Sequence, residues 1–232
     1  MQTNSIIYHG STHIIEKPVF GEGNPRNDYG LGFYCTQSPD LAREWACTEK
    51  DNGFSNRFKL DLADLSILNL NNGEYHILNW LAVLLENRIF RIREDVAIRA
   101  KEYVLENFSV DYKNYDVVCG YRADDSYFSY ANAFLNNTLS LKQLEKAMLY
   151  GKLGGQIVLR TERAFQRLEF LAAEAVDKEI YYPKKLARDM EAREAFRKDR
   201  SVGIVEDETY ILDIMRGRWK DGDIRLQRRI YK

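Results

Sequence analysis

The sequence predicts an α+β domain, and three observations carry that expectation. Short runs rich in β-branched and aromatic residues, such as 5–9 and 115–121, end at glycines or polar turns and read as strands. Longer stretches, 74–88 and 94–108, space their apolar residues three and four apart and read as helices. The two kinds of element do not alternate as regular βαβ units, which disfavours a doubly wound sheet.

The elements follow in order. Ser5-Ile-Ile-Tyr-His9 is a short buried strand ending at Gly10. Residues 16–31, rich in Gly, Pro and Asn, form a loop. Gly32-Phe-Tyr-Cys-Thr36 is a second strand. Ser38 is an N-cap with Pro39 at the first helical position, opening a helix to about Glu49. Residues 58–62 alternate as a strand, and 66–70 form another. The two helices over 74–88 and 94–108 come next, then the strand 115–121. Residues 124–136 and 140–150 are helical, and 156–160 is a strand. A short helix precedes a strand over 168–171, and Pro183 opens a charged helix to about Arg200.

The 232 residues fit one large domain, or one domain with an appendage. A chain of this length buries about 70% of its unfolded surface, so its core needs no disulfide or structural metal. Apolar residues at 45% and charged residues at 30% are the balance of a globular protein. The net charge of -1 dictates neither an acidic nor a basic partner. Three cysteines, Cys35, Cys47 and Cys119, lack C-x-x-C spacing and point to a reducing compartment. The first residues carry no basic run followed by an apolar one, and no apolar run nears the length of a membrane span. A cytoplasmic protein without membrane contact is expected. The division expected is a domain over 1–200 and a basic C-terminal segment over 201–232, packed on the domain or extending from it. Residues 216–232 hold seven Lys or Arg against two Asp, which reads either as a solvated tail or as a nucleic-acid contact.

Two motifs carry chemistry. Tyr8-His9-Gly10-Ser11 closes the first strand; taken alone it reads as a core histidine before a turn glycine. Gly30-Leu-Gly32-Phe-Tyr34 opens the second strand. It fails as a dinucleotide fingerprint, because Cys35 stands where glycine or alanine belongs and a strand follows. The histidines and cysteines lack zinc-ligand spacing, so no metal is expected. Neither a Gly-x-Ser-x-Gly elbow nor a P-loop is present.

Together the motifs resemble the ADP-ribosyltransferases of the diphtheria-toxin and poly(ADP-ribose) polymerase branch, which spread a His-Tyr-Glu triad over three strands. They also resemble a bacterial domain family with Tyr-His-Gly-Ser, then Asp-Tyr-Gly-x-Gly-Phe-Tyr, then a Gln-bearing strand. The resemblance implies a split antiparallel β-sheet core with surrounding helices, and NAD as substrate with no metal. It implies that His9 bonds a ribose hydroxyl and that the Gly10 backbone holds the nicotinamide carboxamide, with Ser11 nearby. Tyr34 is then the residue on which nicotinamide stacks, and Trp45 a second aromatic beside it. Tyr29 and Gly32 belong to the loop flanking the cofactor.

The third triad position departs from the branch: Gln156 stands where glutamate is usual. A neutral hydrogen bond in place of a charge-assisted one forgoes about 1–3 kcal/mol, or about 10- to 100-fold in rate. That disfavours polymer synthesis and leaves mono-transfer. Asp124 and Asp125, after the strand 115–121, read either as helix-capping acids or as groups that orient ribose or acceptor. The expected function is mono-ADP-ribosyl transfer to a protein or nucleic acid. The alternatives are an NAD-binding module, an NAD glycohydrolase without transferase activity, and an interaction protein that binds no NAD. A bacterial toxin, effector or defence enzyme, with a neutralising partner protein, is the biological setting the resemblance implies.

Overall fold

The computed structural model describes residues 4–123, 125–147, 154–203 and 205–226. The elements are β1 (Asn4–Ser11), β2 (Phe33–Cys35), α1 (Pro39–Ala46), β3 (Gly53–Asp61), β4 (Ile67–Asn69), α2 (Ile77–Asn87) and α3 (Asp95–Phe108). They continue with β5 (Val117–Tyr121), α4 (Asp125–Leu135), α5 (Leu141–Ala147), β6 (Gly155–Leu159), α6 (Glu162–Gln166), β7 (Leu168–Val176), α7 (Lys178–Ser201) and α8 (Ile211–Arg216). This is an α+β protein, as the sequence predicts.

The strands form two sheets, ordered β1-β3-β7 and β2-β6-β5-β4. All pairs are antiparallel except β4–β5. A parallel pair needs a long crossover, and α2 and α3 supply it. The sheets meet at a single antiparallel bridge between Tyr8 of β1 and Thr36, just beyond β2. Past that bridge β1 and β2 separate.

The two larger of three apolar clusters among the described residues dominate the fold. Ile7, Phe33, Cys35, Phe58, Leu60, Val117 and Leu159 fill the space between the sheets. The larger cluster surrounds α2, whose residues Ile77 to Leu85 are all buried. A helix apolar all round belongs inside, and α3, α4 and α8 contribute to the cluster that encloses it. Each leucine or phenylalanine fully buried there contributes about 1.5–3 kcal/mol. Ile211, Ile214 and Leu226 join this cluster, so part of the segment after residue 200 packs into the same core. Among the described residues no helix is long and apolar enough to cross a membrane.

Several boundaries differ from those predicted, each for a tertiary reason. α1 begins as expected, with Ser38 Oγ accepting the Leu41 amide at 3.3 Å, but ends three residues early, at Ala46. β3 starts five residues before the predicted 58, through the polar stretch Ser55-Asn56. Those polar residues are buried because the Asn56 side chain is a hub. Its Nδ2 lies within bonding distance of the His9 carbonyl (3.2 Å), Ser11 Oγ (3.0 Å) and the His13 carbonyl (3.3 Å), and its Oδ1 accepts the Ile15 amide at 2.9 Å. β7 runs on to Val176 through alanines that favour helix, because β3 pairs with it along its length. α7 begins at Lys178, where Asp177 caps the Glu179 amide at 2.9 Å. Pro183 therefore lies inside the helix, removing one donor, rather than opening it. α8 was not predicted; its six residues are too few to display a period.

Replacing Asn56 with alanine strips the 12–15 turn of its anchor. Stability is expected to fall by about 2 kcal/mol in urea titration. Limited proteolysis is expected to cut first within residues 12–15.

Candidate functional site

Where β1 and β2 separate, a cleft of about 530 Å³ opens. His9 and Gly10 of β1, Tyr34 of β2, Trp45 of α1 and Gln156 of β6 line it. Asp28, Arg88, Arg122 and one face of α7, including Lys185, Arg188 and Arg193, complete it. Five residues singled out in four separate stretches of sequence thus meet in one cavity.

The backbone positions two of them. Tyr8 exchanges both backbone bonds with Thr36, at 2.8 and 2.9 Å. Strand amides alternate in direction, so the Gly10 N–H and C=O turn the same way, across the separation toward Tyr34. Gly10 also lies under α1: a Cβ built there would sit 2.0 Å from the Ala42 carbonyl oxygen, so only glycine fits. Glycine here therefore brings the helix carrying Trp45 down onto β1.

His9 stacks on Phe33 with ring centroids 4.3 Å apart. Its Nδ1 donates to the Tyr34 carbonyl at 2.7 Å; a carbonyl only accepts, so the proton is on Nδ1 and Nε2 is an acceptor in the neutral ring. Burial lowers the His9 pKa from 6.5, and the bond to Tyr34 only partly opposes that. Tyr34 offers its ring rather than its hydroxyl. That hydroxyl donates to the Gly30 carbonyl (2.6 Å) and accepts the Tyr29 amide (3.1 Å), and burial raises its pKa. Over the Trp45 ring lies the Arg122 guanidinium, 4.0 Å from the centroid, so one aromatic face already carries a flat cation.

Gln156 is buried, and its Nε2 donates to Asp28 Oδ2 at 3.0 Å. The same Oδ2 accepts the Ala123 amide at 2.9 Å, and Arg88 Nε lies 3.7 Å from Oδ1. Burial raises the Asp28 pKa from 3.8, against the pull of the Ala123 amide, Arg88, Arg122 and Gln156. Glu44, also buried, holds Arg188 in a two-pronged pair at 2.7 and 3.0 Å, which fixes α7 against α1.

Three expected site residues lie elsewhere. Tyr29 is fully buried; its hydroxyl donates to the Tyr121 carbonyl (2.7 Å) and accepts from Trp80 Nε1 (2.8 Å), keying the loop into the helical core. Gly32 packs where a Cβ would meet the Leu159 carbonyl at 2.7 Å. Ser11 belongs to the Asn56 hub. Asp124 lies outside the described residues, and Asp125 is the first residue of α4. Sequence reasoning missed Asp28, Glu44 and the arginines. Asp28 opens the Asp-Tyr-Gly-x-Gly-Phe-Tyr motif, but in a polar loop an acid reads as solvated, and its burial gives it a role in the cleft.

The geometry defines an α+β protein with a charged cleft at the separation of two sheets. The chain belongs to the family described as protein of unknown function (DUF3990), whose model matches residues 5–170. No curated protein and no solved structure matches it. The matched span covers the cleft residues of β1, β2, α1 and β6 and stops within β7, leaving α7 beyond it.

A lowered His9 pKa means the unfolded chain binds that proton more tightly than the fold does. The contribution to stability is present above pH 6.5 and is lost as pH falls through the folded value. Imidazole NMR is expected to give a His9 midpoint below 6.5, and a midpoint above it would contradict the buried, Nδ1-protonated ring.

Proposed function

We propose that the cleft binds NAD and catalyses mono-ADP-ribosyl transfer. The observation that carries this reading is the convergence of His9, Gly10, Tyr34, Trp45 and Gln156 on one cavity. Each is the residue type the chemistry needs, and together they come from four separate stretches of the chain. Charge supports the same ligand. The cleft carries five cationic side chains (Arg88, Arg122, Lys185, Arg188, Arg193) against three anionic ones (Asp28, Glu44, Asp189). That surplus of positive charge suits a diphosphate.

On this reading the Gly10 backbone pairs with the nicotinamide carboxamide across the gap, and the Tyr34 ring stacks on the pyridinium. His9 Nε2 and Gln156 Oε1 accept ribose hydroxyls. The bond from ribose C1′ to the pyridinium nitrogen breaks, and its electron pair stays with nitrogen, so nicotinamide leaves neutral. Positive charge passes to C1′ and the ring oxygen, where preorganised acceptors lower its energy. A lone pair of the acceptor forms the new bond to C1′, and the acceptor's proton goes to solvent. With water as acceptor, the same cleft is an NAD glycohydrolase.

NAD at a hundred times its Kd is expected to stabilise the protein by about 2.7 kcal/mol, seen as a rise in Tm. Nicotinamide release followed by chromatography should fall about 100-fold in His9→Ala and in Gln156→Ala. A thermal shift without release, in the presence of cell lysate as acceptor source, would leave an NAD-binding module. The absence of both would end the NAD reading.

A further inference from the structure

Gln156 supplies no charge, yet a charge lies directly behind it. Asp28 is 5% exposed, and its Oδ2 takes the Gln156 amide proton at 3.0 Å. A carboxylate only accepts, so the Gln156 nitrogen must face it, and the Gln156 oxygen faces the other way. That oxygen is buried and has no hydrogen-bond partner among the described residues. Both residues line the cleft. A buried acceptor with nothing to accept is costly, and a ligand donor would relieve it.

We propose that Asp28 and Gln156 work as one unit, in which Asp28 is a positioning residue. It fixes the orientation of the Gln156 amide and brings a negative charge beneath the ribose, which Gln156 Oε1 contacts. The proposal rests on the NAD reading and adds the source of the charge that the Gln156 position lacks. The amide bonded to a carboxylate is polarised, so its oxygen becomes a stronger acceptor. The charge itself stands one side chain away from the ribose, in surroundings that screen it little. Such a term grows as positive charge develops on C1′, so it acts on the transition state more than on bound NAD.

Three measurements test this on the purified full chain. Asp28→Asn keeps an oxygen for the Ala123 and Gln156 amides but removes the charge. Its kcat for nicotinamide release is expected to fall about 10- to 100-fold with KM within about threefold. Its Tm is expected to match or exceed that of the wild type at neutral pH. A raised folded-state pKa makes Asp28 favour the fold most in acid, and that advantage is lost as pH rises through the folded value. Gln156→Glu sets two carboxyl groups against each other, and such a pair retains one proton between them. The unit then titrates as a coupled pair, so the kcat–pH profile of Gln156→Glu is expected to gain an ionisation step at higher pH than any the wild type shows in the acid range.

A wild-type protein that turns NAD over, with Asp28→Asn equally active, overturns the proposal and leaves the NAD reading standing. So does a Gln156→Glu profile that matches the wild type's, since the side chains at 28 and 156 would then not share one pocket charge. The second variant reads out the proposal even where the first does not fold. A wild-type protein that neither binds NAD nor releases nicotinamide overturns both.

Discussion

The loop before β2 depends on one buried carboxylate. Burying the Asp28 carboxyl group is costly, and four groups from three distant segments face it and offset that cost. Arg88 comes from the end of α2, Arg122 and the Ala123 amide from the end of β5, and Gln156 from β6. A single residue thereby ties the loop to both the sheet and the helical core. Two tyrosines reinforce the tie from the same loop. Tyr29 reaches the Tyr121 carbonyl and the Trp80 indole, while the Tyr34 hydroxyl closes the turn on Gly30. Arg160 adds a bond to the Tyr29 carbonyl from beyond β6. Rigid placement of the loop is what lets its flanking residues hold fixed positions in the cleft.

The cleft itself follows from a failure of sheet pairing. β1 and β2 join at one bridge and then part, so the strand amides of Gly10 are turned toward a gap instead of a neighbour. α1 roofs that gap because Gly10 permits a helix carbonyl to approach closely. Glu44 and Arg43, adjacent on α1, then brace that helix. Glu44 holds Arg188 of α7, and Arg43 holds Glu174 of β7 at 2.9 Å. The braces differ in weight. The Glu44–Arg188 pair is buried on the acid side, where losing one partner is costly; the Arg43–Glu174 pair is partly exposed and solvent weakens it. The floor of the cleft lies within the family's matched span and the α7 wall lies beyond it.

Sequence legibility followed the physics of each element. β1, β2 and the start of α1 were readable because their signals are local: an apolar run, a glycine turn, a serine cap followed by proline. The start of β3, the length of β7 and the short α8 were not, because pairing and burial decide them rather than propensity. Within the cleft, His9, Gly10, Tyr34, Trp45 and Gln156 were legible through their combined pattern. Tyr29 and Gly32 belong to the same pattern yet serve packing, a difference that only the direction of a side chain reveals. Asp28 opens the Asp-Tyr-Gly-x-Gly-Phe-Tyr motif and Glu44 lies on a short helix, yet neither position carries a period or a spacing that announces its burial.

Gln156 shows how a residue changes meaning between sequence and structure. Taken from the sequence alone, glutamine at this position supplies no charge. Beside Asp28, it is a gained donor. A glutamate at this position would set a second carboxyl group about 3 Å from the first, and in a desolvated pocket only one of the two could ionise. Glutamine removes that conflict: its amide proton satisfies Asp28, and Asp28 settles which way the amide points. The single Ala123 amide and the two arginines could not supply that bond on the β6 side. The choice of residue at 156 is therefore coupled to the residue at 28. Their chemistry is fixed jointly, by how many charges one buried pocket can hold.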